Sequence, residues 1–435
     1  MERGLSVLGI FVFLALAVAL SKDRKAIDWR MVGSSLGLQF IFALLLLKTD
    51  PGQAFFRRFG ELVNQLMEFS NKGIEFVFGS LANPGGAWGF VFAVKVLPTI
   101  IFFASLMNVL YYLGIMQWVV AMIARFVQFL LRTSGAETLC ASANIFMGQT
   151  EAPLLIRPYI ASLTQSELLV VMVSGFATLA AGVMFVYASM LSPLLEGAAG
   201  HLLAASVLSA PAAIMMAKIL IPESEEPATR GEVKMDLPRT ESNVIEAAAA
   251  GASTGLNLAL NVGAMLIAFI SLVALINGAL GVVGLSLEIM LGRLFAPLAL
   301  LLGIVDMNEA RQVGSLLGQG LVLNEFVAYT NLAGVIKSGA LSPRSAALAV
   351  YALCGFTNLS SIAIQIGGIG ALAEQRKADL ARLGFIALFA ALLANCQTAA
   401  LAGVLMSESN QLGQPAPAVV TTASPSPAVT ASPTP

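Results

Sequence analysis

Long apolar runs recur along this sequence, and they constrain its fold more than any other feature. They occupy residues 5–20, 32–47, 88–114, 116–131, 168–191, 202–221, 255–280, 346–366 and 383–406. A helix needs about 20 apolar residues to cross the hydrocarbon core of a bilayer. The chain is 57% hydrophobic and only 11% charged, whereas soluble domains are about 25% charged. The sequence therefore predicts an all-α polytopic membrane protein, embedded in the lipid bilayer.

The composition also argues against several classes of function. A net charge of −1 does not suit a nucleic-acid partner. Cys140, Cys354 and Cys396 show no metal-ligand spacing, and we interpret them as small packing residues. The single histidine, His201, cannot form a His-rich metal site, and we expect it at the membrane interface.

Positive charge indicates which loops face the cytoplasm. The run 5–20 could be a signal peptide, since Ala17-Val18-Ala19 resembles a cleavage site, but its basic residues follow the run. We therefore predict a retained first transmembrane helix that starts outside, with the basic loop 22–30 inside. The loops at 222–243 and 376–382 are predicted on the same side.

Two segments are not predicted to span the membrane. Residues 55–69 place apolar side chains on one helical face and charged or amide side chains on the other. Such a helix either lies along the membrane interface or packs between subunits. Residues 414–435 are rich in Pro, Ala, Ser and Thr, cannot bury a core, and are predicted to be disordered.

A polar cluster interrupts the apolar sequence at residues 144–154. Gln149, Thr150 and Glu151 stand together and are followed by Pro153, which ends a helix because it lacks an N–H. Backbone N–H and C=O groups that lack a helical hydrogen-bond partner at membrane depth are tolerated only where they are buried in protein or line a water-filled cavity. A carboxylate at that depth indicates a functional site. A capped turn at the membrane surface is the alternative, but the segment is more typical of a re-entrant hairpin.

The pattern around this cluster occurs a second time. After Glu151 come a loop, an apolar run and Ser-Gly-Phe-Ala-Thr-Leu-Ala at 174–180. After Glu325 come a loop, an apolar run and Cys-Gly-Phe-Thr-Asn-Leu-Ser at 354–360. Small residues reused for helix packing could produce such a match, although the shared order and spacing favour a repeat. Secondary transporters are built from paired units of this kind, with their sites on discontinuous helices.

The polar residues of the two units indicate the chemistry of a ligand. Two carboxylates with Gln149, Thr150, Asn358 and Ser361 suit a neutral molecule rich in hydroxyl and amide groups. A cationic ligand is the alternative. An anionic ligand is disfavoured because Arg157 is the only cationic residue nearby, and we interpret Arg157 as an interfacial anchor at a helix end.

Three ordered motifs carry a family resemblance. They are Gly-Gln-Thr-Glu-Ala-Pro-Leu at 148–154, Asn-Glu-Phe-Val-Ala-Tyr at 324–329 and Cys-Gly-Phe-Thr-Asn-Leu-Ser-Ser at 354–361. Together they resemble the concentrative nucleoside transporter family, of the bacterial sodium-coupled type, over residues 88–406. The resemblance implies about eight transmembrane helices, two re-entrant hairpins in an inverted repeat, interfacial helices and a homotrimer.

The resemblance also implies an activity. It is secondary active symport that imports nucleosides of the uridine, cytidine and adenosine class across a bacterial inner membrane. Sodium is the implied coupling ion, no other cofactor is implied, and alternating access is of the elevator type.

Site residues follow from the same resemblance. Those implied on the nucleobase are Gln149, Thr150 and Glu151, with Val183 packing beside it. Those implied on the ribose hydroxyls are Glu325, Asn358 and Ser361, with Phe356 packing against the ligand. The implied sodium ligands are the side chains of Asn144 and Thr178 and the backbone carbonyls of Met147 and Leu179. A carboxylate that accepts sugar hydroxyls makes charge-assisted hydrogen bonds, which are the stronger kind.

One position departs from the family pattern. A lysine usually stands four residues before the Asn of the Asn-Glu-Phe motif, and here that position is Gly320. The implied ligand contacts are unaffected, and we expect the charge balance and the kinetics of the second hairpin to depart from the family pattern.

Competing functions need features that the sequence does not show. An enzyme that used Glu151 and Glu325 as an acid–base pair would also need a nucleophile or a metal. A channel would need rings of like residues. Proton coupling is the main alternative to sodium, because these two glutamates can carry a proton. We predict a transporter and not an enzyme.

The predicted domain organisation follows the repeat. Residues 1–133 form the N-terminal transmembrane and interfacial helices, which are part of the scaffold, and residues 134–221 form the first repeat with hairpin 1. A polar cytoplasmic loop follows at 222–250, and a scaffold helix and an interfacial helix at 251–305. The second repeat, with hairpin 2 and a broken helix, spans 306–373, the last transmembrane helix spans 374–407, and a disordered tail spans 408–435.

Overall fold

The protein is helical throughout the part of the chain that the structure describes. The computed structural model describes residues 1–83, 89, 91–230, 241–282 and 284–406. Within these ranges there are α-helices and short 3-10 helices but no strands. The first six α-helices are α1 Glu2–Ala19, α2 Trp29–Lys48, α3 Asp50–Phe78, α4 Phe92–Lys95, α5 Leu97–Tyr112 and α6 Ile115–Leu131.

The two predicted repeats each contain a hairpin followed by an interrupted helix. The first comprises α7 Gly135–Ala143, a 3-10 helix Ala152–Ser162, α8 Gln165–Ala177, α9 Ala181–Leu191 and α10 Ala198–Leu220. After α11 Val244–Gly281 and α12 Leu287–Leu301, the second comprises α13 Met307–Val322, α14 Glu325–Lys337, α15 Pro343–Ala352 and α16 Leu359–Leu372. The final helix, α17, spans Lys377–Leu405.

Seven helical segments of the described chain are long and apolar enough to cross a membrane. They are Glu2–Ala19, Trp29–Lys48, Phe92–Tyr112, Gln165–Leu191, Ala198–Leu220, Val244–Gly281 and Glu374–Leu405. The apolar helices Ile115–Leu131 and Leu359–Leu372 are shorter. The predicted run 346–366 is divided between α15 and α16, because the chain leaves helical geometry after Ala352.

Both ends of hairpin 1 lie at one end of the helix bundle. Helix α7 starts there, where Glu137 forms an ion pair of 2.8 Å with Lys218 at the end of α10. The 3-10 arm finishes there too, because the Arg376 guanidinium donates to the Leu163 carbonyl at 2.5 Å. The basic loop after α1 joins them through Lys22 N–H, which donates to the Leu220 carbonyl at 2.9 Å. The three loops predicted to be cytoplasmic thus meet at this end.

Hairpin 2 enters from the opposite end of α1. Glu309, in the first turn of α13, accepts from both the backbone N–H and the hydroxyl of Ser342, at 2.8 and 3.0 Å, so the two ends of the hairpin are joined. Arg344 then donates to the Gly303 carbonyl at 2.7 Å and lies 3.5 Å from the Glu2 carboxylate. Because Glu2 starts α1 and Lys22 follows its end, the two hairpins approach the middle of the bundle from opposite sides.

Helix α11 begins inside the segment 222–250 that the sequence assigns to a loop. The Asn243 side chain caps it by accepting from the Glu246 N–H at 2.9 Å, and an alanine run follows, which favours helix. The helix boundary therefore lies at Val244 rather than after residue 250. Residues 231–240 of that loop and the tail 408–435 lie outside the described residues.

His201 is buried inside the protein, whereas the sequence placed it at the membrane interface. Only 3% of the residue is exposed, and its Nδ1 lies 3.2 Å from the Tyr351 hydroxyl. The reason is that α10 runs through the centre of the bundle, with nearly every residue buried. The three cysteines are buried and form no disulfide, consistent with packing.

Candidate functional site

The two interrupted helices cross each other at their breaks. The break between α8 and α9 presents the Phe176 carbonyl, which accepts from the Thr357 hydroxyl at 2.9 Å. Gly355 lies against the same segment with φ +103°, where a Cβ atom would lie 2.6 Å from the Ala177 carbonyl carbon. Only glycine permits both this conformation and this contact. The crossing brings the free backbone of both repeats to one place.

Glu325 occupies the first turn of α14 and its carboxylate lies close to the crossing. Asn324 caps the helix, with its Oδ1 accepting from the Val327 N–H at 2.9 Å. One carboxylate oxygen accepts from the Asn358 amide at 2.8 Å, and the other accepts from the Tyr187 hydroxyl at 3.3 Å. The N-terminus of a helix favours a negative charge, so the fold places and supports a carboxylate here.

Asn358 is oriented by its role as the N-cap of α16. Its Oδ1 accepts from the Ser361 N–H at 2.9 Å and from the Ser360 hydroxyl at 2.6 Å. With the oxygen committed to the cap, the amide nitrogen points to Glu325. Phe356, two residues earlier, is half-buried. The sequence motif at 354–361 thus combines a sharp turn, a helix cap and a donor to the carboxylate.

The tip of hairpin 1 reaches the same helix, α16. Gln149 is buried and its amide donates to the Ser361 hydroxyl at 3.2 Å. Thr150 packs against Gly368, where a Cβ would lie 3.0 Å from the Thr150 Cβ. Gly175 of α8 has no side chain, and Gln149 packs against it as closely as Thr150 packs against Gly368. The structure therefore brings together Gln149, Ser361, Asn358 and Glu325 through a continuous chain of contacts.

Glu151 points away from that chain of contacts into a cavity of about 820 Å³. The side chain is exposed and accepts from the Gly148 N–H at 3.1 Å. Val183 of α9 lines the same cavity, whose other wall is formed by α5 and α11. Arg157, which is exposed and lies midway along the 3-10 arm, also lines the cavity, and its interpretation as an anchor at a helix end stays a prediction. Glu151 and Val183 thus share one space.

The residues predicted to bind sodium lie on two facing segments: Asn144 and Met147 in the turn of hairpin 1, and Thr178 and Leu179 at the break between α8 and α9. Asn144 is fully buried, and its amide donates to the Ser174 hydroxyl at 3.1 Å, while its Oδ1 has no hydrogen-bond partner among the described residues. The Thr178 hydroxyl donates to the Ser174 carbonyl at 2.7 Å. The carbonyls of Met147 and Leu179 accept no hydrogen bond from the described residues. A buried acceptor without a donor suits a hard cation, which takes oxygen ligands.

Two contacts are not predicted from the sequence, one at the site and one at the end of the bundle. Tyr187 donates to Glu325 from the first repeat, and Lys218 pairs with Glu137. A signal for Tyr187 exists, because it lies four residues after Val183 and so falls on the same face of α9. A signal for Lys218 also exists, since a lone cation within an apolar helix needs a partner.

Two hairpin tips and two broken helices that converge on buried polar groups define a secondary membrane transporter. Residues 8–81 match the family described as Na+ dependent nucleoside transporter N-terminus, and residues 201–403 match Na+ dependent nucleoside transporter C-terminus. Residues 93–194 match the family described as Nucleoside recognition. The chain belongs to the Na+ dependent nucleoside transporter family. It is accordingly a multi-pass membrane transporter and not an enzyme, as predicted.

Named relatives are similar over nearly the whole chain. An "Uncharacterized transporter" of Haemophilus influenzae is 46% identical, with 92% of this chain and 97% of that protein covered. "Uncharacterized transporter YutK" of Bacillus subtilis is 46% identical, with 92% and 98% covered. "Sodium/nucleoside cotransporter 1" of Mus musculus is 40% identical over 93% of this chain, which spans 64% of the mouse protein's length.

Solved structures share the fold. The structure of CNTnw in an inward-facing substrate-bound state has a TM-score of 0.87 and 42% identity, with 93% of this chain and 98% of that chain covered. A CNTnw variant in an outward-facing state has a TM-score of 0.86 at the same identity and coverage. The family predicted from the three motifs and the helical membrane fold predicted from the apolar runs are thereby confirmed.

Proposed function

We propose that this protein is a sodium-coupled symporter that imports nucleosides, including uridine, cytidine and adenosine, across a bacterial inner membrane. The observation that carries the proposal is the contact between Glu325 and Asn358, at 2.8 Å, beside the contact between Gln149 and Ser361. These pairs join both hairpin tips to α16. A ligand held there would contact both repeats at once.

The sugar side of the site follows from the chemistry of Glu325. Each carboxylate oxygen accepts one hydrogen bond from the protein, and a carboxylate has about four lone-pair positions in all. The remaining positions can accept the two vicinal hydroxyls of a ribose. Asn358 and Ser361 complete this side, and the half-buried Phe356 supplies an apolar surface for the ligand.

The nucleobase side is proposed at hairpin 1. Gln149 has an amide oxygen that is buried and without a donor among the described residues, and such a group requires a partner. Glu151 and Val183 face the cavity from the same hairpin and from α9. These groups match a nucleobase. The Gln149 amide, the Thr150 hydroxyl and the Glu151 carboxylate can hydrogen-bond to its edge, and Val183 can pack against its face.

Sodium is proposed at Asn144, Thr178 and the carbonyls of Met147 and Leu179. The unpartnered Asn144 Oδ1 supports this assignment, because neutral oxygens are ligands for a hard cation. Bound sodium would supply positive charge at the break between α8 and α9. The chain's own role is to hold these oxygens in place, through the Ser174 contacts at 3.1 and 2.7 Å.

We propose that transport moves the two hairpins and broken helices past α5 and α11, in an elevator-type cycle. The cavity between hairpin 1 and the α5–α11 pair supports this arrangement. We further propose about eight transmembrane helices per subunit and a homotrimer. The long exposed apolar face of α11, where Ile267 is 74% exposed and Leu275 71% exposed, supports contact with lipid and with other subunits.

Uridine binding to purified protein tests the site directly. Glu325→Gln should weaken binding by about 10- to 150-fold, since an amide offers one acceptor atom and a charge-assisted hydrogen bond contributes about 1.5–3 kcal/mol. Glu288→Gln is the matched control, because Glu288 also accepts from an asparagine, Asn277, at 3.0 Å, but on α12 outside the site. Equal uridine affinity in the Glu325 variant and the wild type would contradict the assignment of the sugar site.

A further inference from the structure

Tyr187 is held rigidly at the junction of the two repeats. It lies on α9 and is fully buried. Its ring stacks on Tyr329, with centroids 4.2 Å apart and planes 20° apart, and meets the edge of Phe326 at 5.5 Å. A buried aromatic ring confined on two sides has few rotamers to explore. The hydroxyl at its end is therefore a donor with a fixed position.

That hydroxyl is directed at the carboxylate proposed to hold the sugar. It donates to Glu325 Oε1 at 3.3 Å, while Asn358 donates to Oε2 at 2.8 Å. Asn358 belongs to the second repeat, like Glu325 itself, whereas Tyr187 belongs to the first. The carboxylate is thus held from two directions, which fixes both its rotamer and the plane of its two oxygens.

We propose that Tyr187 is a positioning residue for nucleoside recognition, which acts through Glu325 to set affinity for the ribose hydroxyls. This inference rests on the proposed function. Two vicinal hydroxyls can bind one carboxylate well only if its oxygens are already in the correct plane, because a freely rotating carboxylate must be ordered when the ligand arrives. With Asn358 as the only donor, one oxygen of the Glu325 carboxylate would be fixed, but the carboxylate could still rotate about that hydrogen bond.

A neighbouring tyrosine provides a matched control. Tyr329 is also fully buried and forms the other half of the same stacked pair. Its hydroxyl donates to the Val350 carbonyl at 3.1 Å and not to a carboxylate. Tyr329→Phe therefore removes the same atom from the same aromatic cluster, and it leaves Glu325 with both of its side-chain donors.

The test compares Tyr187→Phe and Tyr329→Phe for binding of uridine and of 2′,3′-dideoxyuridine, which lacks the two vicinal hydroxyls of the ribose. Tyr187→Phe should weaken uridine binding by about five- to tenfold, as expected for one hydrogen bond to a charged group that acts indirectly. It should leave dideoxyuridine binding unchanged. Tyr329→Phe should change neither. A purely structural role would weaken both ligands alike, and that result would overturn the proposal.

A double-mutant cycle isolates the route through Glu325. In a Glu325→Gln background, Tyr187→Phe should cause no further loss of uridine affinity. Glu325→Asp is a second variant, since a shorter side chain withdraws the carboxylate from Tyr187 while keeping its charge, and adding Tyr187→Phe to it should again have no effect. Additive losses in either background would contradict the proposal.

The result also separates this inference from the function on which it rests. Wild-type protein that binds no nucleoside would overturn both. Wild-type protein that binds uridine, with Tyr187→Phe binding it as tightly as Tyr329→Phe does, would overturn only the role of Tyr187. Thermal melting of each purified variant shows whether it keeps its fold. Tyr187→Phe and Tyr329→Phe each remove one buried hydroxyl and should both melt close to the wild type; a loss of fold in Tyr187→Phe alone would assign Tyr187 a structural role and overturn the proposal.

Discussion

Replacing Gly355 by alanine should separate the two helix breaks and so disrupt both halves of the site. Gly355 has φ +103°, and an added Cβ would lie 2.6 and 2.9 Å from the carbonyl carbon and Cα of Ala177. The neighbours are backbone atoms, which cannot rotate away as a side chain would. The unfavourable dihedral costs about 1–3 kcal/mol and the overpacking about 1–3 kcal/mol. Together they should destabilise the protein by about 2–6 kcal/mol, a large part of the stability of a typical domain.

The assay is the thermal unfolding of purified protein in detergent, followed by uridine binding. Gly355→Ala should melt at a clearly lower temperature and lose uridine affinity, because the Thr357 contact with the Phe176 carbonyl lies at the same crossing. Gly367→Ala is the control. Gly367 lies within α16 with no atom within 4 Å of an added Cβ, so alanine there should be neutral or stabilise by about 0.5–1 kcal/mol. A Gly355 variant that melts and binds like the wild type would refute the argument.

Two further substitutions test the sodium ligands and the buried ion pair. Thr178→Val keeps the side-chain shape but removes one proposed ligand oxygen, and it should raise the sodium concentration for half-maximal uptake by about tenfold. Thr99→Val is the control, because it removes a buried hydroxyl of α5 that donates to the Val96 carbonyl at 2.6 Å. It should leave the sodium concentration for half-maximal uptake unchanged. Lys218→Met should destabilise the protein by about 3–5 kcal/mol, because the Glu137 carboxylate at 2.8 Å is only 1% exposed and loses a cationic partner. Adding Glu137→Gln should restore much of the melting temperature; no restoration would contradict the pairing.

Features encoded by neighbouring residues could be predicted from the sequence. The apolar runs located most of the spanning helices, since membrane depth fixes their length. The breaks at residues 144–154 and near Glu325 could be predicted because polar side chains are unfavourable in lipid, and at the first break because Pro153 lacks the N–H that would continue a helix. Gln149 and Glu325 lie at these breaks, Asn358 lies at the break before α16, and the structure brings all three into one chain of contacts. Their roles stay predictions.

Contacts between distant segments could not be predicted in the same way. The hydrogen bond from Tyr187 to Glu325 joins residues 138 positions apart in the chain, and no local pattern specifies it. The position of His201 depended on whether α10 had an open face, which only the packing of its neighbours decides. The start of α11 depended on the cap at Asn243, whose short polar pattern lay within a loop-like composition.

The central claim is that a sodium gradient drives nucleoside accumulation through this site. The most direct measurement is uptake of radiolabelled uridine by liposomes that contain the purified protein, under an imposed inward sodium gradient or, without sodium, an imposed pH gradient. The sodium gradient should drive saturable accumulation above the external concentration, and the pH gradient alone should not. Uptake that follows the pH gradient and ignores sodium would instead assign the coupling to a carboxylate such as Glu151 or Glu325. An absence of saturable uptake under both gradients would contradict the proposed function itself.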